Sequence, residues 1–189
     1  MGKSFAVTFL LGRASFGEAV DAIVSPITYI CRNGPEEARK LTENTKPELP
    51  ATSVAAYRVL AQIPAYVAGH SLGEYSALVA AGSLDFADAL RLVRKRGQYM
   101  QQAVPAGVGA MAALLKLPEG KLDEVLQKSA QGEIVSAANL NSPDQVVIAG
   151  HTGAVHRAVE LAKAAGAHRA VILPVSAPFH CALIKPPKQ

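Results

Sequence analysis

The residues best suited to chemistry lie in one pentapeptide, Gly69-His70-Ser71-Leu72-Gly73. The apolar run 65–68 precedes it and a helix-forming run follows, so the pattern predicts a nucleophile elbow, a strand-to-helix turn with a serine at its apex. We expect glycine at 69 and 73 because a side chain there would collide with the neighbouring strand or helix. The Leu72 N–H, just after the turn, could bind a developing oxyanion. The alternative reading is a simple structural turn.

A serine hydroxyl is a weak nucleophile, so the chemistry needs a base, and histidine suits neutral pH. His70 is adjacent to Ser71, but neighbouring residues in an elbow point apart, so we expect His70 to pack. His180 follows Phe179 near the end of the sequence. From the residues alone it is either the base or a structural histidine. We expect the other three histidines at the surface: His151, His156 and His168.

Composition favours helices packed on a parallel sheet. Half of the 189 residues are apolar, 5% are aromatic, and there is no tryptophan. Two cysteines, Cys31 and Cys181, are too few for a disulfide framework and lack metal-ligand spacing. We therefore predict a cytoplasmic protein without a bound metal.

The formal net charge of +4 is not concentrated in one tail. We interpret most of the densest basic cluster, 91–96, as a solvated helix face. No aromatic residues are interleaved with these charges, which argues against a nucleic-acid partner. The apolar run 5–11 is too short to span a membrane, so no membrane partner is predicted.

The pattern of apolar residues predicts how these residues are positioned. Helices are expected at 16–24, at 51–62 after a polar turn, and at 86–103. From 109 to 175 the pattern predicts a βαββαβ order with a hairpin at 141–144, which is typical of a ferredoxin-like unit. The predicted segments are strands 109–115, 134–140, 145–149 and 169–175, with helices 118–130 and 152–165.

These elements predict an α/β fold, in which an α/β-hydrolase-like parallel-sheet core carries an inserted ferredoxin-like subdomain. The core is assigned to residues 1–105 plus 176–189, and the subdomain to residues 106–175.

Six blocks of the sequence, spread over about residues 34–186, resemble the malonyl-CoA:acyl carrier protein transacylases of fatty acid and polyketide synthesis. The blocks are LTENT at Leu41, SVAAYRVL at Ser53, AGHSLGEYSALVAAG at Ala68, RLVRKRGQYMQQAVPAG at Arg91, NLNSPDQVVIAGH at Asn139 and SAPFHCALIKP at Ser176. The resemblance implies transfer of a malonyl group from malonyl-CoA to the phosphopantetheine thiol of acyl carrier protein. No cofactor is implied, since the coenzyme A thioester is the substrate.

The resemblance also implies a role for each matching residue. Ser71 is the nucleophile, His180 its base, and Leu72 supplies one oxyanion-binding N–H. Arg96 pairs with the free carboxylate of the malonyl group, which suits a guanidinium because it binds carboxylates in a bidentate manner. Phe179 resembles the bulky residue that favours malonyl over methyl-branched groups.

The sequence departs from that family in three places. It lacks the Gly-Gln-Gly-Ser-Gln turn that normally precedes these blocks, it ends nine residues after His180, and Lys46 stands where a pocket glutamine is usual. We therefore expect a chain truncated at both ends, with little activity on its own. Two alternatives stay open: an α/β-hydrolase-type thioesterase or esterase, and a non-catalytic fragment.

Overall fold

The computed structural model describes residues 8–23, 42–105, 107–175 and 177–184. The chain divides into two compact units, residues 1–98 and 99–189. Within the described ranges, no helix combines the length and the apolar character needed to cross a membrane.

The described part of the first unit is built from helices. They are α1 (Leu10–Ile23), α2 (Thr42–Leu60), α3 (Gly73–Ala80) and α4 (Phe86–Ala103), the last of which ends in the second unit. The predicted helix at 86–103 is confirmed, and its apolar stripe is buried: Phe86, Ala89, Leu90, Val93 and Met100. Phe86 and Leu90 join Phe16 and Val54 in one hydrophobic cluster, so apolar burial holds α1, α2 and α4 together.

The strand predicted before the elbow is wrong. Residues 66–69 have no regular structure, and every residue from 61 to 70 is exposed. A strand is defined by hydrogen bonds to a neighbouring strand, and the described residues of the first unit supply no such neighbour. The predicted parallel sheet is accordingly absent from residues 8–23 and 42–98, the described part of the first unit.

Helix α2 replaces the predicted polar turn, beginning at Thr42 and running through Pro47 and Pro50. Each proline removes a backbone donor from the helix and disfavours it. Both proline rings are fully buried, however. Packing of this helix face therefore outweighs the local propensity.

Two arginines of the basic cluster donate hydrogen bonds to the end of α1. Arg91 Nε donates to Ala22 O at 3.2 Å, and Arg94 Nη1 donates to Ile23 O at 2.5 Å. Ala22 and Ile23 end α1, whose last carbonyl groups have no helical partner. Positive side chains stabilise a helix C-terminus. The prediction of a solvated face is thus confirmed for Arg91, whose side chain is 57% exposed, and is wrong for Arg94, which is only partly exposed.

The second unit contains a four-stranded antiparallel sheet. Its elements are β1 (Gly109–Leu115), α5 (Lys121–Ala130), β2 (Val135–Ser142), β3 (Gln145–His151), α6 (Thr152–Ala164) and β4 (Arg169–Ile172). The strand order is β2-β3-β1-β4, with every neighbouring pair antiparallel. The predicted element order and the hairpin between β2 and β3 are confirmed.

Side chains on the two faces of this sheet form separate clusters. One contains Ile148, Val155 and Ala158 and joins the sheet to α6. The other is built on Met111 and Ala149. His151, at the end of β3, is not a simple surface residue, because it is only partly exposed and its Nδ1 accepts a hydrogen bond from the Ile134 N–H at 2.9 Å. His156 and His168 are exposed as predicted.

Candidate active site

Ser71 adopts a backbone conformation that is unusual for a residue with a side chain. Its φ is +54°, in the left-handed region. Non-glycine residues held there cost on the order of 1–3 kcal/mol and cluster at functional sites. The turn continues directly into α3, with the Gly73 N–H donating to His70 O at 3.0 Å and the Tyr75 N–H donating to Leu72 O at 3.2 Å. The serine therefore sits at the apex of a tight turn that leads into a helix.

The two glycines of the pentapeptide are not equivalent. A Cβ atom added to Gly69 would overlap the backbone of Gly73 and Glu74. A Cβ atom added to Gly73 would meet nothing within 4 Å among the described residues. The expected collision is thus confirmed at position 69 and is wrong at position 73, where the side chain would point into open space.

This difference yields a stability prediction with a control in the same turn. We expect Gly69→Ala to lower the free energy of unfolding by about 2–3 kcal/mol, because rigid backbone must move to admit the methyl group. Gly73→Ala should change it by less than about 1 kcal/mol, since alanine is also the better helix former. Urea unfolding followed by circular dichroism measures both. Equal losses in the two variants would contradict the steric account of Gly69.

Arg96 lies against the serine. Its Nη2 donates a hydrogen bond to Ser71 Oγ at 3.0 Å. Its Nη1 is buried and has no hydrogen-bond partner among the described residues. An unsatisfied buried donor is costly, more so on a charged group. The guanidinium therefore presents a free donor beside the Ser71 hydroxyl, which suits an anionic group of a ligand.

Tyr75 is the third member of this group. The Arg96 Cζ lies over the Tyr75 ring, 5.9 Å from its centroid. Sequence reasoning did not single out Tyr75. Ser71 lies in the turn before α3, so helical spacing does not relate it to Tyr75, and no sequence signal singles out this tyrosine.

Leu72 immediately precedes α3 and has helical backbone angles. The first N–H groups of a helix have no partner within the helix. The role of its N–H in binding a developing oxyanion stays a prediction.

Phe179 and His180 belong to the second unit. His180 is exposed and, like Ser71, has a left-handed φ, +58°. Phe179 is partly buried and packs with Cys181 on the cluster around Met111. Burial raises the pKa of the Cys181 thiol, which donates to Pro178 O at 3.1 Å. The pairing of His180 with Ser71 stays a prediction.

The profile of the family described as acyl transferase domain matches residues 13–186. The chain belongs to this family. It is 51% identical over 146 residues to a malonyl CoA-acyl carrier protein transacylase of Escherichia coli strain K12, an alignment that covers 75% of this chain and 47% of that protein.

Solved structures agree with this assignment. An acyl carrier protein S-malonyltransferase from Vibrio cholerae superimposes with a TM-score of 0.89 at 48% identity, covering 97% of this chain and 61% of the other. A malonyl-transacylase in complex with a type II polyketide synthase acyl carrier protein gives 0.90 at 49% identity, covering 95% and 59%. The mixed α/β fold is thus that of the malonyltransferases. The chain spans about half the length of the curated relatives it matches.

Proposed function

We propose that the chain carries the acyl-transferring site of a malonyl-CoA:acyl carrier protein transacylase. The observation that carries the proposal is the contact of Arg96 with Ser71. Arg96, which has one buried donor without a partner among the described residues, donates to the hydroxyl of a serine at the apex of a tight turn. A short acyl group with a terminal carboxylate can meet both residues at once. Monocarboxylic acyl groups leave the Arg96 donor unsatisfied.

The reaction proceeds in two balanced steps. Ser71 Oγ attacks the thioester carbonyl of malonyl-CoA while His180 takes the hydroxyl proton, and a tetrahedral intermediate forms. Collapse of this intermediate breaks the C–S bond, and His180 returns the proton to the leaving coenzyme A thiol. The product is a malonyl ester on Ser71. The phosphopantetheine thiol of acyl carrier protein then attacks that ester by the same steps in reverse.

Two further residues have roles in this mechanism. The Leu72 N–H donates to the oxyanion of the intermediate, where one such donor is worth about 100- to 1000-fold in turnover. Phe179 is assigned the role that the family resemblance implies, which is to favour malonyl over methyl-branched groups. Neither role requires a metal ion or a redox cofactor.

The partners follow from the relatives. The malonyl-transacylase noted above is in complex with an acyl carrier protein, and by analogy we assign acyl carrier protein as the acceptor here. The reaction then belongs to cytoplasmic fatty acid biosynthesis.

We also propose that residues 106–175 form a ferredoxin-like subdomain inserted into an acyltransferase core made of residues 1–105 and 176–189. The βαββαβ element order and the antiparallel strand order β2-β3-β1-β4 support the subdomain assignment.

The test is transfer to a second thiol. The purified chain is incubated with malonyl-CoA and phosphopantetheinylated acyl carrier protein, and both the mass of the carrier and the release of free malonate are followed. Malonyl-carrier formation faster than malonate release is the expected result. Malonate release alone would identify a thioesterase, and neither product would identify a non-catalytic fragment.

His180 can be tested in the same assay. We expect His180→Gln to lower the transfer rate by about 100- to 10,000-fold, the usual contribution of a general base. His168→Gln, at an exposed position of the second unit, is the matched control and should leave the rate unchanged. An equal rate in the two variants would remove His180 from the mechanism.

A further inference from the structure

We propose that Tyr75 is a positioning residue, which holds the Arg96 guanidinium in place to bind the carboxylate of a dicarboxylic acyl group. This inference rests on the proposed function and extends it to a residue outside the predicted site. It starts from the contact between the Tyr75 ring and the Arg96 Cζ atom.

Arginine has a long side chain with many rotamers, so fixing its end in one place is unfavourable unless neighbours hold it. Arg96 projects from α4, whereas Ser71 and Tyr75 belong to the elbow and to α3. Ser71 accepts one guanidinium hydrogen bond, and the Tyr75 ring lies against the guanidinium. Together these two contacts restrain the guanidinium group.

The Tyr75 ring also affects the strength of the ion pair between Arg96 and the ligand carboxylate. An aromatic face attracts a cation within about 6 Å of its centroid, and the distance here is 5.9 Å. The ring is apolar, so it keeps water from that side of the charge and strengthens the pairing with a carboxylate. The contact with the ring uses no guanidinium N–H group. The buried Nη1 therefore stays available to donate a hydrogen bond to the ligand. A guanidinium oriented in advance binds more tightly than a mobile one.

Binding of free malonate tests this assignment without requiring turnover. We expect Tyr75→Leu to weaken malonate binding about 5- to 10-fold by calorimetry, in line with the strength of a partly desolvated cation–π contact. Tyr75→Phe keeps the aromatic face and should bind malonate within about twofold of the original protein. Acetate, used as a second probe, should bind all three proteins equally weakly. If the Leu variant binds malonate as tightly as the original protein, the assignment of Tyr75 is overturned.

A second measurement covers the case in which Tyr75→Leu does not fold. In the original protein, the guanidinium protons of Arg96, assigned by comparison with Arg96→Lys, should show an upfield ring-current shift in the NMR spectrum. Tyr75→Phe should retain that shift. Random-coil positions for these protons would mean that the ring does not hold the arginine, and would overturn the proposal.

The outcomes separate this proposal from the proposed function. Malonate binding that depends on Arg96 but not on Tyr75 overturns only the role of Tyr75. If the ring-current shift is clear but malonate does not bind, Tyr75 lies against Arg96 but the site does not recognise a carboxylate. That result would contradict the proposed function as well.

Discussion

Replacing Ser71 by alanine is expected to abolish the malonyl adduct that malonyl-CoA forms on the protein. The nucleophilic oxygen is then missing, and in serine enzymes this loss costs on the order of 10⁶-fold in turnover. Intact-protein mass spectrometry after incubation with malonyl-CoA measures the adduct directly.

Ser76→Ala is the matched control for this experiment. Ser76 lies on the same helix α3, one turn beyond the start, and is partly buried. We expect this variant to form the adduct at the original rate. An adduct that persists in Ser71→Ala, or that disappears in both variants, would contradict the assignment of Ser71 as the nucleophile.

Arg96→Ala is expected to invert the preference between malonyl and acetyl groups. Without the guanidinium, the malonyl carboxylate enters the site with no partner, and we expect kcat/KM for malonyl-CoA to fall about 100- to 1000-fold. Acetyl-CoA has no carboxylate, so its slow reaction should change by less than about threefold. The ratio of the two adducts, measured with each thioester separately, reports the preference.

Arg94→Ala is the matched control for Arg96→Ala. It removes an arginine two residues away in the sequence, whose guanidinium donates to Ile23 O rather than to Ser71. We expect some loss of stability in this variant and an unchanged preference for malonyl. A thioesterase-type site would instead be indifferent to Arg96→Ala.

The second unit could be predicted closely from the sequence because its signals are local. Strand β1 was predicted at its exact bounds, and the turn at 141–144 joins two β-forming runs at hairpin spacing. Only the β2–β3 pair is local, whereas β1 pairs with β3 and with β4, which are distant in sequence. Local patterns therefore give the strands, the helices and the hairpin, and the order of the strands in the sheet comes from the long-range pairing of β1.

The first unit was harder to predict because its outcome depends on tertiary partners. The run 65–68 is apolar like a buried strand, but its structure depends on neighbours that no local pattern contains. Pro47 and Pro50 predict a break, yet both lie inside α2 because their rings are buried. Arg91 and Arg94 resemble a solvated face, and only the position of the α1 C-terminus reveals that they bind its carbonyl groups.

The residues of the candidate site also differ in how far the sequence alone could identify them. Ser71 was found from its pentapeptide, and its left-handed backbone agrees with the predicted elbow. Arg96 was singled out only by resemblance to a family, since a basic cluster by itself indicates a solvated surface. Its contact with Ser71 joins residues 25 positions apart, which spacing alone cannot predict. Tyr75 was missed because a tyrosine on a helix has no chemical signature until its ring is seen against a cation.

The most direct test of the central claim is a competition on one serine. The protein is incubated with equal concentrations of malonyl-CoA and acetyl-CoA, digested, and the peptide containing Ser71 is analysed by mass spectrometry. If Ser71 and Arg96 form one site for a dicarboxylic acyl group, malonyl-Ser71 will be the dominant adduct. Equal amounts of malonyl and acetyl adducts, or an unmodified Ser71 peptide, would contradict the claim.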